Sequence, residues 1–309
     1  DGAWAVAIVR ELDMTRDRRL FSRERRPGAV PLIEGRMVHQ FRHGAKAYVS
    51  GSGRAAVWEV AAPGDGRLRP QFWVDPDELS EELRERITRV RVGFCDIAGQ
   101  TNERAMLAAR IPARAICGNK VPTIQFGDER RASLWLAIVN SFAFDWLLRR
   151  VLTTTVNYFV LRSVPLPDVD PASSLAQRLI GLSDSVEAAY NGQADGASLR
   201  QIADWRAEID ALVFQAYGLG VDDAATIMDD FPLLDRGQPP IEGEQRSTLT
   251  RDLVLSKMLE LSVADASASL LEERVKEATR AGAVAYVPAE AARSKHTARR
   301  RGQSRSRTR

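Results

Sequence analysis

The chain has 309 residues, 44% of them hydrophobic, which is enough to bury a sizeable core and, at the usual ~100 to 200 residues per domain, to form two units. The formal charge of +3 sits unevenly: the last 17 residues, Arg293 to Arg309, hold 8 Lys or Arg and no acid, leaving 36 basic against 41 acidic residues before them, so a uniformly basic nucleic-acid protein is excluded. No run reaches the ~18 apolar residues of a membrane span, and Asp1-Gly2-Ala3-Trp4 has neither a basic n-region nor an initiator Met, so the expectation is a cytoplasmic fragment.

The first 165 residues mix short β-like runs with two helices. Trp4 to Val9 is an apolar run; Ala45 to Val49 and Ala55 to Val60 flank Gly51-Ser52-Gly53, for which a hairpin turn is the plain reading; Pro63-Gly64-Asp65-Gly66 is turn chemistry. Asp75-Pro76 opens a helix carrying Leu79, Leu83 and Ile87 on one face. Arg89 to Ile97 alternates, predicting a half-buried strand with Arg89 and Arg91 on a basic outer face. Arg131 to Arg150 reads as one buried helix, and Val156 to Val164 as a closing strand before Pro165-Leu166-Pro167. After Pro171 the pattern is helical, over Leu175 to Tyr190, Ser198 to Tyr217, Asp222 to Met228, Leu249 to Leu261 and Leu270 to Ala281, with stops at Gly218, Gly220 and Gly282 and a linker at Pro239-Pro240.

The expected architecture is α+β: a mixed β/helical domain over 1–168, a helical domain over 169–238, a C-terminal helical segment over 239–292, and a disordered basic tail over 293–309. Cys95 and Cys117 are too far apart for a Cys-x-x-Cys site and read as small core residues. His39 and His43 would share a helix face as metal ligands, but Met37 to Phe41 looks extended and no third ligand follows, so neither a metal nor a catalytic residue is assigned. No Gly-x-Ser-x-Gly elbow and no Asn-Pro-Pro-Tyr type loop is present.

Two donor-rich stretches stand out. Arg36, His39, Gln40, Arg42, His43 and Lys46 form one between apolar anchors; Arg91, Asn102, Arg104, Arg114, Asn119 and Lys120 form the other, within positions 84 to 120, where 8 Lys or Arg face Glu85, Asp96 and Glu103. Any phosphate-facing surface is therefore expected in the first half. Asn102-Glu103-Arg104 is equally readable as an internal salt-bridged turn, and Asn140 and Ser141 as packing or capping residues.

Several segments, in order, resemble the region that follows the catalytic domain in restriction-modification enzymes fusing an adenine-specific DNA methyltransferase to a TaqI-type specificity domain. They are Leu12-Asp13-Met14-Thr15 with Leu20-Phe21, Val30 to Phe41, Phe72-Trp73-Val74, Thr101 to Arg104 leading to Ile111-Pro112, Asn140-Ser141-Phe142 with Asp145 and Arg149, and Asn157-Tyr158-Phe159-Val160 running into Val164 to Pro167. Thr250 to Val254 looks like the helical end of such proteins, while Ile33 and Arg36 stand where family members often have Tyr and Lys.

The resemblance implies sequence-specific double-stranded DNA recognition in phage defence by a target-recognition domain over 1–168, its two donor-rich stretches reaching base edges and phosphates, with S-adenosylmethionine bound by a methyltransferase domain missing from this chain, on the same product or a separate one. Alternatives are a stand-alone specificity subunit of a multisubunit restriction system, an RNA-binding protein using the arginine tail, and a helical interaction module.

Overall fold

The computed structural model describes residues 7–99, 102–193, 196–261 and 266–288, the side chains of 266–268 excepted. The fold is α+β. Its strands are β1 (Ile8–Val9), β2 (Val30–Ile33), β3 (Lys46–Ser50), β4 (Val57–Val60), β5 (Trp73–Val74), β6 (Arg91–Phe94), β7 (Ala108–Ile111), β8 (Ile116–Cys117) and β9 (Thr123–Ile124). The chain divides into two compact units at Ala197/Ser198.

In the first unit, an antiparallel sheet of order β1-β9-β6-β7 lies beside a smaller one of order β5-β2-β8, in which β2 runs antiparallel to β5 and parallel to β8. The alternation of β2 explains its central place: Val30 and Leu32 enter one apolar cluster with Phe21, Phe72, Val74 and Ile116, while Ile33 enters another with Met37, Ile111, Cys117 and Val121. Both cysteines are buried and free, as core residues. Asp75 caps a short 3-10 turn at Pro76–Glu78 and Ser80 caps α1 (Glu81–Arg86), which brings Leu79 and Ile87 into the first cluster.

Three sequence readings are corrected. Strand β6 is buried along its whole length, and Arg91 points inward, because a buried carboxylate, Glu11, is there to meet it. The run Arg131 to Arg150 is two helices, α2 (Glu129–Val139) and α3 (Phe142–Val151). Ser141 breaks it, donating to the Ile138 carbonyl at 2.7 Å and capping the Phe144 N–H at 3.2 Å. The expected closing strand is helical instead: the Asn157 side chain accepts from the Val160 N–H at 3.0 Å and starts α4 (Tyr158–Ser163).

Helix α5 (Ser174–Tyr190) packs against α2, with the Ser133 hydroxyl 2.6 Å from Asp184 and Asn191 donating to the Phe41 carbonyl. The boundary therefore lies after α5, not at residue 168. The second unit is helical: α6 (Leu199–Ala216), α7 (Val221–Asp229), α8 (Leu249–Leu261) and α9 (Ala266–Arg280), with α8 packed against the other three. Residues 239–288 thus share a unit with α6 and α7. Gly282, with φ +88°, ends α9 in the left-handed conformation that terminal glycines adopt. The basic tail lies outside the described residues, among which no helix is long and apolar enough to cross a membrane.

Candidate nucleic-acid interface

Strands β3 and β4 form a two-stranded ribbon around Gly51-Ser52-Gly53. Gly51 has φ +83°, and a Cβ there would lie 2.2 Å from the Ala55 carbonyl oxygen, so the turn requires glycine. Across the ribbon Tyr48 faces Trp58, ring centroids 5.6 Å apart and edge to face, and the Arg36 guanidinium lies over Trp58 at 5.1 Å. Trp58 anchors the ribbon to the second apolar cluster. Val49 and Val57 remain 50% and 52% exposed, an apolar pair that the core does not use.

The Tyr48 N–H donates to the Arg69 carbonyl at 2.9 Å, which ties Arg67-Leu68-Arg69 to the ribbon's side. These residues form one wall of a groove of about 610 Å³ lined by Arg25, Arg67, Arg69 and Arg114, with Trp73 and the Gly28 to Pro31 backbone beneath and no carboxylate among its lining residues. Arg25 lies over the Trp73 ring at 5.0 Å, and Arg114 donates to the Gly28 carbonyl at 3.3 Å. Arg67 and Arg69 share one carboxylate, Asp65, at 3.2 and 3.0 Å, and Glu59 stands 4.0 Å from Arg69. The hydrogen bond from the Arg67 side chain, followed by the one from its backbone N–H, holds Asp65 below the ordinary carboxylate range. Arginine thus outnumbers acid here, as a polyanion-binding groove requires.

The residues expected to face DNA divide into two groups. Arg36, Asn102 and Lys120 are exposed and His39 and Lys46 partly so; Lys46 lies on the ribbon, and Arg36, from the turn Gly35–Met37, reaches over its Trp58. The other five are buried. Gln40 donates to the Met106 and Asn140 carbonyls, and Arg42 to those of Ala61 and Ala62. Burial pushes His43 down to about 4, its hydrogen bond with the Arg110 backbone opposing in part. Arg91 pairs with Glu11 at 2.9 Å. Arg104 pairs with Asp145 at 3.1 Å, donates to the Asn140 carbonyl at 2.7 Å, and lies over Phe142 at 3.9 Å. Burial and these bonds withdraw the five from any DNA-facing surface.

Of the residues that carried the family resemblance, Asn102, Glu103, Arg104, Asn140, Phe142, Asp145 and Arg149 meet in this last knot. Asp145 accepts from Arg104, from the Ala105 and Met106 N–H groups, and from Arg149 at 2.7 Å. Arg149 donates on to the Asn102 and Glu103 carbonyls. Asn140 exchanges two hydrogen bonds with Ala108, at 3.1 and 3.0 Å, as a strand residue would. The knot ties the 102–108 segment to α2 and α3, the satisfied buried network that low dielectric demands.

A second cleft, of about 480 Å³, is lined by His43, Arg110, Ser133, Asp184 and Glu187 among others. Its charges answer one another: Arg110 meets Glu187 at 3.0 Å and Asp184 at 3.2 Å. Burial raises Glu187 to about 7, although Arg110 pulls the other way. Among the described residues, no group of three or more His, Cys, Asp or Glu is placed to hold a metal ion. No family model matches the chain, and no curated protein matches it.

Proposed function

We propose that the first unit binds double-stranded DNA, with the groove of Arg25, Arg67, Arg69 and Arg114 holding phosphates and the β3–β4 ribbon presented to the bases. The observation that carries this reading is the groove itself: four arginines around an aromatic floor, with no carboxylate among its lining residues. Guanidinium forks match phosphate geometry and release counterions on binding. A two-stranded β-ribbon fits the DNA major groove, where half-exposed Val49 and Val57 could meet thymine methyls and Arg36 a guanine edge. The family resemblance extends the proposal: the chain serves as the specificity part of an adenine DNA methyltransferase in restriction-modification, S-adenosylmethionine being bound by the methyltransferase domain and not by this chain.

Fluorescence anisotropy of a labelled duplex titrated with the full chain, over a range of salt concentrations, tests the proposal. The affinity is expected to fall steeply and linearly in log–log form with salt. An absence of duplex binding at low salt contradicts it.

A further inference from the structure

The hydrophobic residues of helix α4 find no core. The helix comprises Tyr158-Phe159-Val160-Leu161-Arg162-Ser163, and none of these is buried. Phe159 is 76% exposed, Tyr158 beside it 41%, and the two rings meet edge to face at 5.0 Å. Val151, at the end of α3, and Ile97, bridged to the chain at Thr155 by an isolated β-bridge between the two, are also exposed. Guanidinium groups lie against rings on both helices. Arg162 lies over Tyr158 at 4.5 Å and Arg150 over Trp146 at 4.2 Å, and the sequence from Trp146 to Pro167 contains no Asp or Glu.

An exposed aromatic face with guanidinium groups against its rings and no acid in the segment fits a ligand that is anionic and presents π-faces. Unpaired nucleobases on a phosphate backbone have that chemistry; bases inside an intact duplex hide their faces from it. We propose that α4 and the end of α3 form a stacking platform for unpaired bases, Phe159 and Tyr158 supplying the rings and Arg150 and Arg162 the phosphate contacts. The proposal rests on the DNA-binding reading above and adds to it: the protein would hold a locally opened strand as well as duplex.

The test uses the full chain and three labelled probes: a duplex, the same duplex with a short central bubble carrying 2-aminopurine, and the single strand. The bubble is expected to bind more tightly than the duplex. Phe159→Ala should remove about 5- to 150-fold of bubble and single-strand affinity, the range for one lost base stack, and abolish the quenching of 2-aminopurine, while duplex affinity stays unchanged. Because Phe159 is mostly in solvent, its loss should leave the thermal midpoint as it was. The platform is overturned if bubble and duplex bind equally, or if folded Phe159→Ala binds all three probes like the parent. It is equally overturned if that variant changes only self-association, which would make α4 a protein-docking face. Failure of the parent to bind duplex would count against the groove, and the single-strand probe would still report on Phe159.

Discussion

Arg91 and Glu11, 80 residues apart in sequence, meet with both side chains fully buried, the guanidinium bridging the carboxylate at 2.9 and 3.3 Å. Glu11 also accepts from Arg86, from the Thr123 hydroxyl and from the Cys117 N–H. Removing one partner of such a pair leaves a charge without compensation in a low-dielectric interior. Arg91→Met should therefore cost about 3–5 kcal/mol in chemical denaturation. A variant as stable as the parent would show that the pair contributes little.

The same reasoning applies to Asp145, whose two oxygens take four hydrogen bonds. Asp145→Ala strands two arginines and two backbone N–H groups and should destabilise by several kcal/mol, the upper range for buried networks. Asp145→Asn keeps the shape and loses the charge, so its cost should be smaller. Equal stability of the two variants would remove charge from the explanation.

The positive excess within positions 84 to 120 misled for this reason. Arg86, Arg91, Arg104 and Arg110 each answer a carboxylate brought from elsewhere in the chain, and a count of charges along the sequence does not reveal pairings across 40 to 80 residues. The helices of the second unit were legible because their signals are local. Ser198 caps α6, Leu249–Leu261 is the range that the apolar pattern marks, and Gly51-Ser52-Gly53 closes the hairpin its flanks announce. The run Asn157 to Val160, rich in residues that favour strands, became a helix because a cap was available and no sheet partner paired with it. Of the groove, Arg114 was noted. Arg67-Leu68-Arg69 between Gly66 and Pro70, and the arginine-rich stretch from Arg16 to Arg26, were the overlooked signals for Arg67, Arg69 and Arg25.

His43 and Glu187 give the first unit opposing pH dependences. The folded pKa of His43 is depressed to about 4 from an unfolded value near ~6.5, so its contribution is complete above that pH and is lost as pH falls toward about 4. Glu187 is raised to about 7, so its contribution is complete below the ordinary carboxylate range and is lost as pH rises through about 7. Between about pH 4.5 and 6.5 the two oppose each other. Denaturation measured across that window should give His43→Gln a more negative slope of stability with pH than the parent, and Glu187→Gln a more positive one. Slopes shifted in the same direction would contradict this assignment.

The ribbon turn can be probed without touching an arginine. Gly51→Ala forces a left-handed φ on a residue with a Cβ and drives that Cβ against the Ala55 carbonyl. The expected cost exceeds about 1 kcal/mol, with weaker duplex binding as the ribbon distorts. Unchanged affinity in a variant of lowered stability would separate the ribbon from DNA contact.

The central claim is that the arginine groove holds DNA phosphates, and the slope of log affinity against log salt for duplex binding measures it. Each phosphate contact contributes about 0.9 to that slope, so Arg67→Ala combined with Arg114→Ala should lower it by about 2 while weakening all duplex sequences alike and leaving the thermal midpoint near that of the parent. A folded double variant with the parent's slope and affinity would contradict the account.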